Sequence, residues 1–168
     1  MRTPLALAAL LALSACGLKP MYAGGSNSAV AQGLAGVEVA PIPGRDGWLV
    51  RNALYDRLSV AGTAVPQYRL DVRLDDSLEG LGVLNDDTIS RERRILRSRY
   101  QLVDLASGEI LLDATAGSDA GVDVVSSEYA TIAAEQTALE LLAKDVADRM
   151  VRRVAITLRQ REAGQAEQ

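Results

Sequence analysis

The sequence predicts an α+β fold: a two-layer sandwich in which two helices cover one face of an antiparallel or mixed sheet of about four strands. Three observations support this fold class. Two segments alternate apolar and charged residues with the period of a half-buried strand, and two others carry apolar residues at helical spacing. The strands in the middle of the chain follow one another through short connections, as antiparallel hairpins do.

The first half of the domain predicts a strand, a helix and a second strand. Residues 37–42 form a short apolar strand that Pro41 and Pro43 end, which favours an edge position. Asp46 is placed to cap a helix over residues 48–58. The inward face of that helix consists of Val50, Ala53, Leu54 and Leu58. In the strand over residues 67–78, the inward residues are Tyr68, Leu70, Val72 and Leu74, which alternate with charged residues.

The second half predicts a hairpin and a long helix. A polar connection over 79–87 leads to a strand over 88–104, and a turn leads back into a strand over 109–116. A loose segment over 117–121 follows, with residues 122–125 a candidate continuation of that strand. The inward residues of these two strands are Leu96, Tyr100, Leu102, Ile110, Leu112 and Ala114. Ser126 or Ser127 then caps a helix over residues 128–158. Its predicted buried stripe is Tyr129, Ile132, Leu139, Leu142, Val146, Met150 and Val154.

The composition excludes several kinds of chemistry. The chain of 168 residues has 18 Lys and Arg, 22 Asp and Glu, one Cys and no His. Without His there is no Ser-His-Asp triad and no imidazole metal ligand, and a single Cys makes no intrachain disulfide. The net charge of −4 is unfavourable for general nucleic-acid binding. We therefore expect no catalytic residues, no metal and no nucleic-acid partner.

The first residues have the pattern of a secretory signal. Arg2 gives a short positive start, and an unbroken Leu/Ala run over residues 5–13 ends at Leu13-Ser14-Ala15-Cys16. The run is too short to span a bilayer, which needs about 20 apolar residues. Leu-Ser-Ala-Cys resembles the bacterial lipoprotein box, which implies cleavage before Cys16 and the attachment of a diacylglycerol and an N-acyl chain to Cys16.

Acylation of Cys16 predicts stable attachment to a membrane, because two or more acyl chains hold a protein far more firmly than one. Gly17 follows the cysteine, and the sorting rule of bacterial lipoproteins then implies the outer membrane, on its periplasmic side. We divide the chain into a signal peptide (1–15), a lipidated N-terminus and tether (16–36), an α+β domain (37–158) and a polar tail (159–168). The composition of residues 24–32 predicts a flexible tether. No cofactor is expected beyond the covalent lipids.

An arginine-rich stretch gives the candidate binding residues. Between residues 91 and 99 there are five arginines and one glutamate within an otherwise acidic chain. Strand alternation places Arg91, Arg93, Arg97 and Arg99 opposite the inward residues, with Arg94 a further candidate. One interpretation is a solvated face with cross-strand ion pairs. The other is a site for an anion or a partner, because guanidinium groups bind phosphate through two parallel hydrogen bonds, and the apparent excess of arginine favours this.

Neighbouring carboxylates leave an enzymatic alternative. Asp75-Asp76 and Asp86-Asp87 carry acid groups of the kind that bind a metal or cleave a glycoside. Adjacent residues of a strand point to opposite faces, however, and no nucleophile and base accompany these pairs. Turn and loop chemistry explains them better, so we expect no enzyme activity.

Several segments together resemble the LPS-assembly lipoprotein family LptE, in its alphaproteobacterial form. The matching segments are Cys16-Gly17-Leu18-Lys19-Pro20-Met21-Tyr22, Val50-Arg51-Asn52-Ala53-Leu54-Tyr55-Asp56-Arg57-Leu58, Tyr100-Gln101-Leu102-Val103-Asp104 with Gly108, and Ser126-Ser127-Glu128-Tyr129-Ala130. Together they extend over essentially the whole mature domain in order.

This resemblance implies a function. LptE-like proteins are plugs and assembly factors of the large outer-membrane β-barrel LptD and take part in the delivery of lipopolysaccharide (LPS) to the outer leaflet. The resemblance implies that an LptD-like barrel and LPS are the partners, and that basic residues bind LPS. The candidates for that role here are Arg91, Arg93, Arg94, Arg97 and Arg99, which are not matched one by one to a family motif. The alternative is a periplasm-facing lipoprotein scaffold of another outer-membrane barrel or secretion complex.

Overall fold

The computed structural model describes residues 29–62, 64–83 and 89–166. The predicted signal peptide, Cys16, the first part of the tether and the Asp86-Asp87 pair lie outside these residues. The described elements, in chain order, are α1 (Ala29–Ala35), β1 (Val37–Val39), α2 (Gly44–Ser59), β2 (Tyr68–Val83), β3 (Ile89–Asp104), β4 (Ile110–Asp123) and α3 (Glu128–Ala166).

The four described strands form one mixed sheet in the order β1-β2-β3-β4. The short strand β1 pairs in parallel with β2, whereas β2–β3 and β3–β4 are antiparallel. Leu102 of β3 lies opposite Leu70 of β2 and Leu112 of β4, so the apolar residues of the three long strands share one face. The predicted α+β sandwich with a mixed sheet is confirmed.

The core lies between this apolar sheet face and the helices. On the sheet side Leu70, Leu96 and Leu102 are almost completely buried, and Tyr100 lies beside them. The helices contribute the predicted stripe of α2 and the residues of α3 from Ala138 onward. Leu54 and Met150, for example, are both 0% exposed. Aliphatic side chains provide most of this core, as expected of a chain without Phe.

Helix α1 corrects the prediction of a flexible tether for residues 29–32. Val30 and Leu34 are buried against the core, so α1 has an apolar face despite its glycine and alanine content. Gly33 allows a close approach: a Cβ at that position would lie 3.2 Å from Cδ1 of Leu158 on α3. Helix formation here is stabilised by packing and not by local propensity.

The C-terminal part of α3 also differs from the prediction that the helix ends at residue 158 and a polar tail follows. The helix continues to Ala166. Leu158 is buried, and Arg161 forms an ion pair with Asp104 at the β3–β4 turn, with 2.7 Å between Nη2 and Oδ2. Asp104 also accepts hydrogen bonds from the backbone N–H groups of Ala106 and Ser107. The added helical turns are therefore attached to the sheet.

Four residues near the ends of elements do not have the predicted role. Helix α2 begins at Gly44, so Asp46 lies inside its first turn and is not the cap. A β-bulge at Leu102/Val103 shifts the register, so Ile110 pairs with Val103 and is 53% exposed. Tyr129 and Ile132 are exposed because the buried stripe of α3 begins only at Ala138.

The long strands extend further than predicted. β2 continues through residues 79–83, which were assigned to a polar connection, and β4 continues without a break through residues 117–121 to Asp123. The extension of β4 places further aspartates next to β3, with consequences for the charged face of the sheet.

Candidate functional site

The face of the sheet that points away from α2 and α3 carries the predicted arginine cluster. Arg91, Arg93, Arg97 and Arg99 lie at alternating positions of β3 and are exposed, on the side opposite buried Leu96. Arg69 and Arg73 of β2 lie on the same side, and Arg73 is directly opposite Arg99. The prediction that strand alternation gathers these arginines on one face is confirmed.

The predicted excess of arginine on this face is wrong. The six arginines share the face with seven carboxylates: Glu38, Asp71, Asp75, Glu79, Asp113, Asp119 and Asp123. Three of these acids lie on β4, and one of them, Asp119, comes from residues 117–121, which the sequence assigned to a loose segment. The face is thus a mixed, nearly neutral charge network and not a cationic patch.

Three of the four outward arginines of β3 form ion pairs with β4. The distances are 3.2 Å from Arg91 Nε to Asp123, 3.0 Å from Arg93 Nε to Asp119 and 2.8 Å from Arg99 Nη2 to Asp113. Arg99 and Gln101 together hydrogen-bond to Asp113 and lower its pKa from 3.8 to about 2. Each of these arginines already has a carboxylate partner in the folded chain.

Arg97 and Arg73 are different, because neither forms an ion pair with any residue that the structure describes. They line one depression of about 500 Å³ on the free face, together with Arg99. Its β4 side is formed by small residues, Thr115 and Gly117, and Gly117 lies directly opposite Arg97. The absence of a side chain at Gly117 leaves the Arg97 guanidinium accessible from that side.

Arg94 lies on the other side of the sheet, apart from the remaining candidates. Its guanidinium forms a two-point ion pair with Asp76, with 3.0 Å from Nε to Oδ1 and 2.5 Å from Nη2 to Oδ2. Its Nη1 donates to the carbonyl of Glu135 at 3.0 Å, and its side chain is only 13% exposed. Asp76 raises the pKa of Arg94 further above its usual range. This arginine joins β2, β3 and α3 and is not available to a ligand.

The geometry therefore reduces the candidate anion-binding residues to Arg73 and Arg97, the two arginines of this face that form no ion pair within the described residues. A guanidinium without a carboxylate partner can hold a phosphate or carboxylate through two parallel hydrogen bonds. Arg73 was not among the candidates selected from the sequence. The signal was present: Arg73 follows the alternation of β2, and the hairpin register sets it across from Arg99.

The other chemistry considered from the sequence has little support in the described part of the chain. Asp75 and Asp76 lie on opposite faces of β2, and Asp76 is held by Arg94. Among the residues with described positions, no group of three or more His, Cys, Asp or Glu is arranged to hold a metal ion. No helix within the described ranges is both long enough and apolar enough to cross a membrane.

The same fold occurs in solved bacterial lipoproteins. A putative lipoprotein from Caulobacter crescentus is 25% identical, with a TM-score of 0.66 over 80% of this chain and 98% of that one. Rare lipoprotein B from Shewanella oneidensis is 11% identical, with a TM-score of 0.60 over 74% and 99% of the two chains. A minor lipoprotein from Acinetobacter baumannii is 14% identical, with a TM-score of 0.56 over 73% and 92%. The fold is thus that of a class of small α+β proteins to which these lipoproteins belong.

Within that class, the family is set by the sequence. The model of the LptE family, described as lipopolysaccharide-assembly, matches residues 34–154. This match extends from the end of α1 to the buried part of α3 and includes all the strands that the structure describes. The chain belongs to the LptE family, a family of non-enzymatic LPS-assembly lipoproteins. No curated protein matches the chain.

Proposed function

We propose that this lipoprotein is the plug and assembly factor of an LptD-like outer-membrane barrel and takes part in the delivery of LPS to the outer leaflet. The observation that carries the proposal is the family match over residues 34–154, which comprises nearly the whole folded domain. Acyl chains on Cys16 attach the domain to the periplasmic side of the outer membrane.

The dimensions of the domain support the role of a plug. β2 and β3 have 16 residues each. At a rise of about 3.3 Å per residue such strands are about 50 Å long, comparable to the full thickness of a bilayer with its headgroups, about 40–45 Å. The free sheet face is densely charged but nearly neutral, which suits the polar, water-filled interior of a large barrel.

The proposed contact with LPS is made by Arg97 and Arg73. LPS carries phosphate groups, and these two guanidinium groups are the ones on the free face without a carboxylate partner in the described structure. Arg99 lines the same depression but already bonds to Asp113. Arg91 and Arg93 likewise bond to aspartates of β4. Their proposed role is to hold β3 and β4 together and not to bind LPS.

Co-purification tests the barrel partner. The full-length lipoprotein, expressed with the LptD-like barrel of its own organism and extracted from outer membranes in detergent, is expected to yield a stable one-to-one complex. The barrel is identified by mass spectrometry, which also reports whether Cys16 is acylated. A complex with a different barrel, or an unmodified thiol with the leader intact, contradicts the proposal.

Binding to purified LPS tests the arginine pair. Reversing both charges, Arg73→Glu with Arg97→Glu, is expected to weaken binding at least tenfold at low salt. Wild-type binding itself should weaken as salt rises, since these exposed charges are screened. The matched control is Arg152→Glu, an exposed arginine of α3 on the helix side of the domain, which should leave binding unchanged. Equal binding by the double variant and the control removes the pair from the mechanism.

A further inference from the structure

The outer edge of β4 is a long strand edge without a strand partner. β4 is the last strand of the sheet and has 14 residues, Ile110–Asp123. Its inner side pairs with β3, while its outer side makes no backbone hydrogen bond to any described residue. An edge of this length is a template for the addition of another strand unless the fold blocks it.

Two arginine-lined depressions flank this edge at the same three residues, one on each face of the sheet. On the free face, Arg73, Arg97 and Arg99 line a depression of about 500 Å³. On the helix side, Arg149 and Arg153 line one of about 400 Å³, with the ring of Tyr100 also part of its wall. Both depressions include Thr115, Ala116 and Gly117 of β4.

The charges next to the edge are only partly neutralised. Arg149 bonds to Asp145 at 2.9 Å and Arg99 bonds to Asp113 at 2.8 Å. Arg97 and Arg153 form no ion pair within the described ranges. Among the described residues, the free-face depression thus holds Arg73 and Arg97 without an ion pair beside the unpaired carboxylate of Asp75, a net of one positive charge, and the helix-side depression holds Arg153. The small residues of β4 between the two depressions leave room for longer side chains from an added strand.

We propose that an extended, acid-rich segment of the barrel partner pairs with β4 at Thr115–Gly117 and becomes a fifth strand of the sheet. This inference rests on the proposed function, because it names a contact of the same partnership. Side chains of an added strand alternate between the two faces. Successive acidic side chains therefore meet Arg97 on one face and Arg153 on the other, while the backbone supplies the hydrogen bonds.

A second copy of the chain is a poor occupant of this edge. An antiparallel pairing of two β4 strands centred on Ala116 places Asp113 of each chain opposite Asp119 of the other. Like charges directly opposite each other destabilise a strand pair. Both aspartates already bond to arginines of their own chain, so neither is free to pair with an arginine of a second copy. The edge therefore favours an acidic segment placed next to Thr115–Gly117 over a copy of itself.

Hydrogen–deuterium exchange tests this pairing in the complete complex. The full-length lipoprotein is measured alone and in its detergent-extracted complex with the barrel, and peptides spanning residues 110–123 are followed by mass spectrometry. Outward amides near Thr115–Gly117 are expected to exchange at least tenfold more slowly in the complex. The turn over residues 105–109 is the internal reference and should not change.

Charge reversal at Arg153 gives a second measurement. Arg153→Glu is expected to reduce the protection of these amides at least threefold, whereas Arg152→Glu, one residue away and outside the depression, leaves it intact. A complex that forms without protection at Thr115–Gly117 overturns the inference and leaves the proposed function standing. Failure to form a complex overturns both. Protection in the lipoprotein alone, with a dimeric mass by light scattering, identifies a second copy and also overturns the inference.

Discussion

Replacing Gly47 with alanine tests whether the close approach of α2 to the preceding loop is a requirement of the fold. Gly47 is buried in the first turn of α2. A Cβ built there would lie 2.6 Å from the carbonyl oxygen of Ile42 and 2.8 Å from its carbonyl carbon. Both are backbone atoms, so no side-chain rotation can relieve the contact, and the loop or the helix has to move.

The expected magnitude follows from two opposing terms. Alanine stabilises a helix by about 1 kcal/mol relative to glycine. Forcing an extra methyl group into a packed site costs about 1–3 kcal/mol, and contact with backbone favours the upper part of that range. We therefore expect Gly47→Ala to lower the free energy of unfolding by about 1–2 kcal/mol.

Urea unfolding of the chain without its first sixteen residues, followed by far-UV circular dichroism, measures this difference. The matched control is Gly164→Ala in α3, where a Cβ meets no atom within 4 Å. The control should be neutral or gain at most about 1 kcal/mol. If Gly47→Ala is as stable as the wild type while the control behaves as expected, then the close approach does not constrain the fold and the reasoning is wrong.

Two further predictions concern ion pairs. Asp148→Ala removes the carboxylate of α3 that bonds to Arg57 of α2, in a half-buried pair whose Arg57 and Asp148 side chains are 23% and 43% exposed. Its loss should lower the free energy of unfolding, measured in urea, by about 1–2 kcal/mol. The control Glu140→Ala, at an exposed position of the same helix, should lower it by less than about 0.5 kcal/mol. The second ion pair is that of Asp113, whose pKa in the folded chain is lowered from 3.8 to about 2 by hydrogen bonds from Arg99 and Gln101. Because the unfolded chain then binds a proton more readily than the folded chain, these hydrogen bonds stabilise the folded chain above pH 3.8. That stabilisation is lost as the pH falls from 3.8 towards 2. Wild-type protein should then lose stability more steeply than Asp113→Asn over that range, and parallel pH profiles would show that the hydrogen bonds contribute nothing.

The sequence predicted those features that depend on local periodicity. The alternation of Leu70 and Val72 with charged residues identified the inner face of β2, and the spacing of Val50, Leu54 and Leu58 identified that of α2. All five are buried in the structure. These patterns can be read from single segments because each strand or helix must present one apolar face to the core.

Features that depend on distant residues could not be predicted in this way. The register of β4 against β3 brings Asp119 to Arg93 and Asp123 to Arg91, and nothing local to the arginines reveals these partners. The bulge that turns Ile110 outward is likewise a property of the strand pair. The prediction of the candidate site is therefore the least accurate. The sheet face that carries the arginines was predicted correctly, whereas the net charge of that face depends on how β4 pairs with β3.

The contact between Gly33 and Leu158 joins the first described helix to the last one. Its two partners are separated by nearly the entire domain, so α1 cannot dock until the C-terminal helix has been made and has folded onto the sheet. A polypeptide that emerges through a narrow channel with its N-terminus leading thus remains open until its final segment arrives. Contacts between residues so far apart in sequence close the longest loops of the chain, so the docking of α1 adds to the contact order of the domain and is expected to slow its folding.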